Sequence, residues 1–182
     1  MIISHKHKFI FIKPTKVGGT SVEIALAKHC GQDDVITIVT KYHPESDSDK
    51  YDHPARNYQE MGFYNHMDPK EIKQKIGKKW DEYYKFTVVR NPFDQIVSRF
   101  FWHITRGKSP KKKNINYFFK KLKKDLINRL FLSGLSEFEK FVLFFKKGET
   151  NTKYYFDKEG KPLCDFYIRY ENLDKDYQEV CK

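Results

Sequence analysis

The stretch FIFIKPTKVGGTSVEIAL, residues 9–26, joins an apolar run to a glycine-containing turn and then to a helical pattern. Residues 8–13 are rich in Phe and Ile and are followed by Pro14, which indicates a buried strand. After Thr20, residues at i, i+3, i+4 and i+7 predict one face of a helix that ends near Gly31. These residues are Val22, Ala25, Leu26 and His29. The stretch therefore predicts a strand, a loop and a helix.

The loop of this unit has the features of an anion-binding site. Gly18 and Gly19 allow the backbone to approach an anion closely, and the start of the helix offers N–H groups without intrahelical partners. Lys16, Thr20 and Ser21 add one positive charge and two hydroxyl donors. We therefore predict that this loop binds a phosphate-like group, the alternative being a glycine turn that only connects strand to helix.

A second strand, turn and helix unit follows later in the chain. Residues 83–89, YYKFTVV, predict a strand, and Asn91 can cap a helix that begins at Pro92. The inward face of this helix is predicted to consist of Phe93, Ile96, Val97, Phe100, Phe101 and Ile104. Two such units predict an α/β fold, P-loop-like and three-layered, in which helices flank a central parallel sheet and both turns lie at one edge.

The remaining elements are predicted from caps and periodicity. Asp68, Pro69 and Glu71 supply an N-cap, a first-turn proline and a capping-box acid for a short helix that ends at Gly77. The other predictions are a strand at 34–39, an irregular loop at 41–65, helices at 115–132 and 136–147, and a hairpin or two short strands at 152–170. Residues 171–182 start a helix with little chain left, so we expect a C-terminal element to be missing.

Composition restricts the partners without identifying one. The 182 residues fit one domain, and 39% hydrophobic residues are enough for a globular core. The net charge of +11 favours an anionic partner, which nucleic acid, acidic polysaccharide, a membrane surface or a phosphorylated cofactor would all satisfy. The lysine-rich runs at 108–113 and 120–124 are also typical of solvated faces.

Cysteine usage and hydropathy indicate the compartment. The three cysteines have no CxxC spacing, which argues against a disulfide framework or a zinc site and favours a reducing environment. The apolar segment at the N-terminus is too short for a signal peptide, and no segment approaches the ~18 apolar residues of a membrane span. We therefore expect a cytoplasmic protein without a membrane span.

The charged residues at the two turns argue against a nucleotide triphosphatase. The GxxxxGK[ST] motif is absent, because Lys16 precedes the glycines. The second strand ends in Arg90, where such an enzyme would place a carboxylate for Mg²⁺. Arg90 predicts a second anion site, which Ser98 is spaced to share. Two anion sites without a metal ligand suggest a nucleotide that has anionic groups at both ends.

These motifs resemble those of sulfotransferases that use 3′-phosphoadenosine 5′-phosphosulfate (PAPS), in particular the family 2-type branch related to carbohydrate enzymes. KVGGTS (16–21) is similar to the family's phosphosulfate loop PKTxGTS, although the proline here lies one residue earlier, at Pro14. VVRNPFDQIVSRF (88–100) resembles the 3′-phosphate motif. FYNHM (63–67) and IRYENL (168–173) also resemble family segments, so the likeness covers most of the chain.

The resemblance implies a role for each motif residue. Lys16 would hold the bridging oxygen as the phosphosulfate bond breaks, and Arg90 and Ser98 would bind the 3′-phosphate. The 5′-phosphate would be bound by Gly18, Gly19, Thr20 and Ser21. The resemblance further implies one sulfotransferase domain over residues 1–182, PAPS as co-substrate and no metal.

The acceptor hydroxyl also needs a base, and His66 is our candidate. It lies in FYNHM, where the family commonly places its catalytic base, and His43, His53 and Glu23 are the alternatives. For Arg169 and Glu171 we expect a structural ion pair.

The acceptor is expected to be a glycan hydroxyl, on an acidic glycan if the basic charge contributes to binding, and not a nucleic acid. Two other functions stay open: a nucleotide or small-molecule kinase, and a nonenzymatic polyanion-binding module that uses the lysines of 108–124. No motif identifies the acceptor or the oligomeric state.

Overall fold

The structure, a computed structural model, describes residues 1–39, 55–107, 134–143, 145 and 150–182. These residues belong to two compact units, one formed by Met1–Arg90 with Asn151–Lys182 and the other by Asn91–Thr150. The single domain over the whole chain stays a prediction. The predicted helix at 115–132 and most of the predicted loop at 41–65 lie outside the described residues.

The first unit is built on a mixed five-stranded sheet, in the order β3-β1-β2-β4-β5. The strands are β1 (Ile2–Ser4), β2 (Phe9–Ile12), β3 (Val35–Ile36), β4 (Tyr84–Val89) and β5 (Phe166–Arg169). β2 and β4 run parallel, as predicted, and β5 is parallel to β4, whereas β1 is antiparallel to both of its neighbours. The prediction of an all-parallel sheet was therefore wrong at this edge, because the connection at residues 5–8 is too short for a parallel crossover and gives β1 and β2 antiparallel pairing. The three-layer, P-loop-like arrangement stays a prediction.

The helix that follows Asp68 has its predicted caps, whereas the first helix ends at Ala27 rather than near Gly31. The bounds of the helices are α1 (Gly19–Ala27), α2 (Pro69–Ile76), α3 (Lys79–Glu82), α4 (Pro92–Gly107), α5 (Glu137–Leu143), α6 (Thr152–Tyr155) and α7 (Leu173–Val180), with a 3₁₀ turn at Tyr170–Asn172. Asp68 caps α2 by accepting a 3.0 Å hydrogen bond from the Lys70 N–H, and Gly77 ends this helix with φ 56°. In the described ranges, no helix combines the length and the apolar character needed to cross a membrane.

The core of the first unit lies on both faces of the sheet. Ile10 and Ile12 of β2 pack with residues of α2 on one face, whereas Phe11 packs with α1 and β4 on the other. All three side chains are fully buried. A strand covered on both faces has no polar side, which explains why β2 is a continuous apolar run rather than an alternating one.

The buried face of α1 agrees only in part with the predicted one. Val22 and Leu26 are buried as predicted, but His29 is exposed. Glu23 is buried instead, with no exposed surface, and forms an ion pair with the buried side chain of Lys13 at the end of β2. A carboxylate can occupy this core position only because a cation accompanies it, and sequence periodicity does not reveal such a pair.

The segment 152–170 forms a helical turn, an isolated bridge and one strand rather than the predicted hairpin or two short strands. α6 replaces its first half, Phe156 and Pro162 form an isolated bridge, and β5 pairs in parallel with β4. The predicted turn within it is present, since the Asp157 carboxylate accepts hydrogen bonds from the N–H groups of Glu159 (2.9 Å) and Lys161 (2.8 Å). Alternating polarity predicted extended chain but could not specify its partner.

The second unit contains α4 and α5, which both begin as predicted. Asn91 caps α4 by accepting a 2.9 Å hydrogen bond from the Phe93 N–H. Ser136 and Glu139 form the predicted capping box of α5, which ends at Leu143 rather than at residue 147. Half of the predicted inward face of α4 is wrong, because Phe93, Val97 and Phe101 are exposed.

The Lys13–Glu23 pair leads to the first testable prediction. Burial opposes ionisation of Glu23, but the amino group of Met1 and the ammonium of Lys13 outweigh burial and lower the pKa of this carboxyl to about 2. Because the pKa is lower in the folded chain, the ion pair stabilises the fold above about pH 4.5, and this contribution is lost as the pH falls toward about 2. Removing one partner of a buried pair costs about 3–5 kcal/mol, so Glu23→Gln should lower the free energy of unfolding by that amount at pH 7.

Urea unfolding between pH 7 and pH 3 tests this prediction. The wild type should lose stability more steeply than Glu23→Gln below about pH 4.5. Glu60→Gln, at an exposed carboxylate, is the control and should follow the wild type. Parallel curves for the wild type and Glu23→Gln would contradict the assignment.

Candidate active site

The candidate site is centred on the loop between β2 and α1. Lys16 and Gly18 adopt left-handed backbone conformations, with φ of 61° and 78°. Gly18 is the N-cap of α1, no side chain caps the N–H groups there, and the first turn contains no acidic residue. Between Lys16 and Gly18, the side chain of Val17 is buried and fixes the loop to the core. The start of α1 is therefore available to an anion, which the partial positive charge of a helix N-terminus favours.

The predicted phosphate-binding residues all lie on this loop or on the first turn of the helix. Gly18 is the N-cap, and Gly19, Thr20 and Ser21 begin α1. The Ser21 N–H donates to the Gly18 carbonyl over 3.1 Å, which closes the first turn. The displaced proline has not removed the strand, loop and helix order that the resemblance requires.

Arg90 lies at the same edge of the sheet as this loop. It follows β4 directly, and β4 is parallel to β2, so both strands end at one edge. Its Nη1 is 3.5 Å from the Lys16 carbonyl oxygen. Its Nε is buried and has no hydrogen-bond partner within the described part of the chain. An unsatisfied guanidinium N–H beside a loop of this kind favours an anionic ligand.

Tyr170 connects Arg90 to the loop, a contact that its place in IRYENL (168–173) does not reveal. The Arg90 guanidinium lies over its ring, 4.2 Å from the centroid. A Cβ at Gly18 would lie only 2.7 Å from Tyr170 Cε2. Gly18 is therefore needed for its left-handed backbone and also for the space that the tyrosine ring occupies.

His66 is held in one tautomer by the end of β2. Its Nδ1 lies 3.0 Å from the Lys13 carbonyl oxygen. Because a carbonyl only accepts, Nδ1 carries the proton and Nε2 is left with the lone pair. Burial, and after it the charge of Lys13, lowers the pKa of His66 to about 4. The imidazole is therefore neutral at pH 7, with a basic nitrogen at Nε2.

Of the alternative bases, Glu23 is less suited than His66 to accept a proton. Glu23 is fully buried in its ion pair, and its pKa of about 2 makes it a poor proton acceptor. His43 and His53 lie outside the described residues. Among the candidates that the structure describes, His66 alone combines a neutral state at pH 7 with partial exposure.

The backbone at the start of the loop is held by a residue that is distant in sequence. Asn151 Oδ1 accepts from the Thr15 N–H (3.3 Å) and hydroxyl (3.1 Å), and its Nδ2 donates to the Thr15 carbonyl (2.8 Å). Asn151 is only 3% exposed. No motif or periodicity marks this residue, so it was not among the predicted site residues.

The remaining predicted site residues are Arg169, which has a structural partner, and Ser98, which lies in the other unit. Arg169 forms a structural ion pair as expected, but its partner is Asp176, at 2.8 Å, rather than Glu171. Hydrogen bonds from Arg169 hold the pKa of the Asp176 carboxyl well below its usual range. Ser98 is half-buried on α4, in the second unit. The described residues contain no cluster of three or more His, Cys, Asp or Glu side chains suited to a metal ion.

The contact between Gly18 and Tyr170 can be tested against a matched glycine. Gly160 has nearly the same backbone conformation (φ 80°), but a Cβ there would meet nothing within 4 Å. Gly160→Ala should therefore cost only the left-handed conformation, about 1–2 kcal/mol. Gly18→Ala should cost about 1–3 kcal/mol more, because the added methyl group displaces the tyrosine ring.

Thermal unfolding of the two variants and of Gly18→Ala combined with Tyr170→Ala measures this difference. The double variant should recover most of the additional loss, since the clash is gone. Equal destabilisation by the two single substitutions would show that the ring does not restrict Gly18.

Comparison with known proteins gives one finding. The model of the sulfotransferase family 2, described as "Sulfotransferase family", matches residues 1–178. No curated protein and no solved structure matches the sequence. The match covers nearly the whole chain, including the loop, Arg90 and His66, so the chain belongs to the sulfotransferase family.

Proposed function

We propose that this protein transfers a sulfuryl group from PAPS to a hydroxyl group of a carbohydrate. Membership of the family supports sulfotransferase activity, and the donor and the acceptor are our proposal. The main support is one observation: the open N-terminus of α1 and the partly unsatisfied guanidinium of Arg90 lie at the same strand edge. This pair of features suits a ligand that has more than one anionic group.

The residues at this edge fit the donor. When bound, PAPS supplies an activated sulfuryl group whose leaving group is adenosine 3′,5′-bisphosphate. The N–H groups of Gly18 and Gly19 and the hydroxyls of Thr20 and Ser21 bind its 5′-phosphate, and Arg90 binds its 3′-phosphate. For Ser98, in the second unit, a role at the 3′-phosphate rests on the family resemblance alone. Lys16 stabilises the negative charge that develops on the leaving oxygen, which is the main catalytic requirement of a loose transition state.

His66 accepts the proton of the acceptor hydroxyl. As the acceptor oxygen bonds to sulfur, the bond from sulfur to the 5′-phosphate oxygen breaks, and the hydroxyl proton passes to His66 Nε2. The Lys13 carbonyl supports this role by keeping the other proton on Nδ1. The low pKa keeps the imidazole neutral before the reaction, so that Nε2 is ready to accept.

The acceptor proposal depends on charge. The net charge of +11 favours an acidic glycan over a neutral one, because opposite charges raise the association rate and affinity. The lysine-rich runs that could contribute lie outside the described residues. The cytoplasmic location and the absence of a nucleic-acid partner stay predictions.

Donor binding can be tested without an acceptor. Adenosine 3′,5′-bisphosphate should raise the melting temperature in EDTA, because ligand bound to the folded state alone stabilises it. Lys16→Ala and Arg90→Ala should each weaken binding about tenfold or more by calorimetry, since each removes a charge-assisted contact. Lys175→Ala removes the same charge at an exposed position of α7 and should bind like the wild type.

Two results would contradict the proposed donor. One is the absence of a melting shift with the bisphosphate, and the other is full affinity in both site variants. A shift that appears only with ATP and Mg²⁺ would favour the kinase alternative.

The base can be tested by sulfate transfer from radiolabelled PAPS to chondroitin or desulfated heparin. His66→Gln should lower kcat about 10²- to 10⁴-fold, as expected for loss of a general base. Because protonated His66 cannot accept a proton, kcat/KM of the wild type should fall only as the pH approaches about 4. His29→Gln changes an exposed histidine and should leave both parameters unchanged.

This assay tests the role of His66 and the class of the acceptor separately. Full activity of His66→Gln, or an acid limb near pH 6.5, would exclude His66 as the base. Transfer to neither glycan would contradict the carbohydrate acceptor.

A further inference from the structure

The segment 151–155, formed by α6 and the residue before it, contacts three parts of the candidate site. Asn151 binds the backbone of Thr15, at the start of the anion-binding loop. Tyr154 and Tyr155 bind the backbone of two other segments. One short element therefore touches the loop, the candidate base and the strand that leads to Arg90.

Asn151 satisfies both backbone groups of Thr15 at once. Its amide accepts from the Thr15 N–H and donates to the Thr15 carbonyl, so it pairs with this residue as a neighbouring strand would. Asn151 is nearly fully buried, and a buried amide can rotate away only by leaving polar groups unsatisfied. This contact restricts the backbone immediately before Lys16.

Tyr154 holds the backbone of His66. Its hydroxyl donates a 2.8 Å hydrogen bond to the His66 carbonyl, and its ring is buried. His66 has a φ of 60°, a conformation that costs free energy for a residue with a side chain. Such a conformation persists where surrounding contacts determine it, and the tyrosine hydroxyl together with the Lys13 carbonyl supplies two of them.

Tyr155 extends the contacts to β4. Its hydroxyl donates to the Val88 carbonyl over 3.3 Å, two residues before Arg90. This bond is longer than that of Tyr154 and reaches regular strand rather than a strained residue. Tyr155 is therefore a close control for Tyr154: the same residue type, in the same helical turn, with a backbone carbonyl as acceptor.

We propose that residues 151–155 form a positioning bracket, in which Asn151 sets the loop that presents Lys16 and Tyr154 sets the orientation of His66. Neither residue is assigned to contact the donor or the acceptor. The inference rests on the proposed function, because it concerns residues to which that proposal gives roles. It adds that the relative placement of the loop and the base is maintained by one element distant from both in sequence.

A purely structural role of this segment predicts a different pattern. Tyr154 belongs to the core cluster on its face of the sheet, and Tyr155 packs against the same cluster. If both tyrosines only stabilised the core, removal of either hydroxyl would lower stability without a specific effect on His66. The bracket instead predicts that the Tyr154 hydroxyl alone affects the imidazole.

Nuclear magnetic resonance of labelled histidine in the full chain tests this without an activity assay. In the wild type, His66 should titrate well below ordinary histidines and carry its proton on Nδ1. Tyr154→Phe should raise the pKa of His66 toward 6.5, because the released imidazole gains solvent and moves from the Lys13 ammonium. The Met1 amino group and Glu23 also face this imidazole and are unchanged in both variants.

The Tyr155→Phe variant should leave the titration and tautomer of His66 as in the wild type. An unchanged titration in Tyr154→Phe, or equal shifts in both tyrosine variants, would overturn the bracket. The phenylalanine ring keeps the buried volume, so both variants are expected to fold.

Asn151→Leu provides a second test through the loop. It should weaken binding of adenosine 3′,5′-bisphosphate about tenfold while leaving the His66 titration unchanged, because the amide that it removes bonds to Thr15, at the start of the loop. In the transfer assay, Tyr154→Phe should lower kcat and leave KM for PAPS unchanged. Wild-type affinity for the bisphosphate in Asn151→Leu would remove Asn151 from the bracket.

The two proposals can fail separately. If the wild type does not bind the bisphosphate but Tyr154→Phe alone shifts His66, the proposed donor is wrong and the positioning of His66 stands. If the wild type binds it and transfers sulfate, but the Tyr154 and Asn151 variants match the wild type, only the bracket is wrong.

Discussion

The buried ion pair between Lys13 and Glu23 is the interaction on which the candidate site depends. It joins the end of β2 to the first turns of α1, and so it connects the two sides of the anion-binding loop. The backbone of Lys13 also accepts the hydrogen bond that sets the tautomer of His66. Two fully desolvated charges stabilise little by themselves, but separating them is costly, so the pair restricts how β2 and α1 can be arranged.

The same ion pair also affects the protonation state of His66, on which the proposed chemistry depends. Glu23 compensates Lys13 inside the core, while the Lys13 ammonium still helps to lower the pKa of His66. His66, the proposed base, therefore stays neutral at pH 7 in a strongly basic chain. Arg90, on the next parallel strand, keeps a buried N–H without a partner in the described structure. One fold thus holds an imidazole that is neutral at pH 7 and a guanidinium that is suited to bind an anion.

The parts predicted well from the sequence have local physical causes. The order of β2, loop and α1 follows from an apolar run and a helical period, and the caps at Asp68 and Asn91 follow from short side chains that bond within two residues. The parallel pairing of β2 with β4 followed from the two helical crossovers. These signals determined the position of the loop and of Arg90, and with the resemblance they determined the family.

The parts that were missed depend on contacts between distant residues. The antiparallel β1, the burial of Glu23, the Asp176 partner of Arg169 and the ring of Tyr170 against Gly18 have no periodic signature. Asn151 and Thr15 are 136 residues apart, and only the folded sheet brings them together. The sequence by itself determined which residues could bind an anion, because their chemistry and spacing are local. The tertiary structure decided which residues hold them in place, because a buried polar group is satisfied by whichever partner the fold brings within hydrogen-bonding distance.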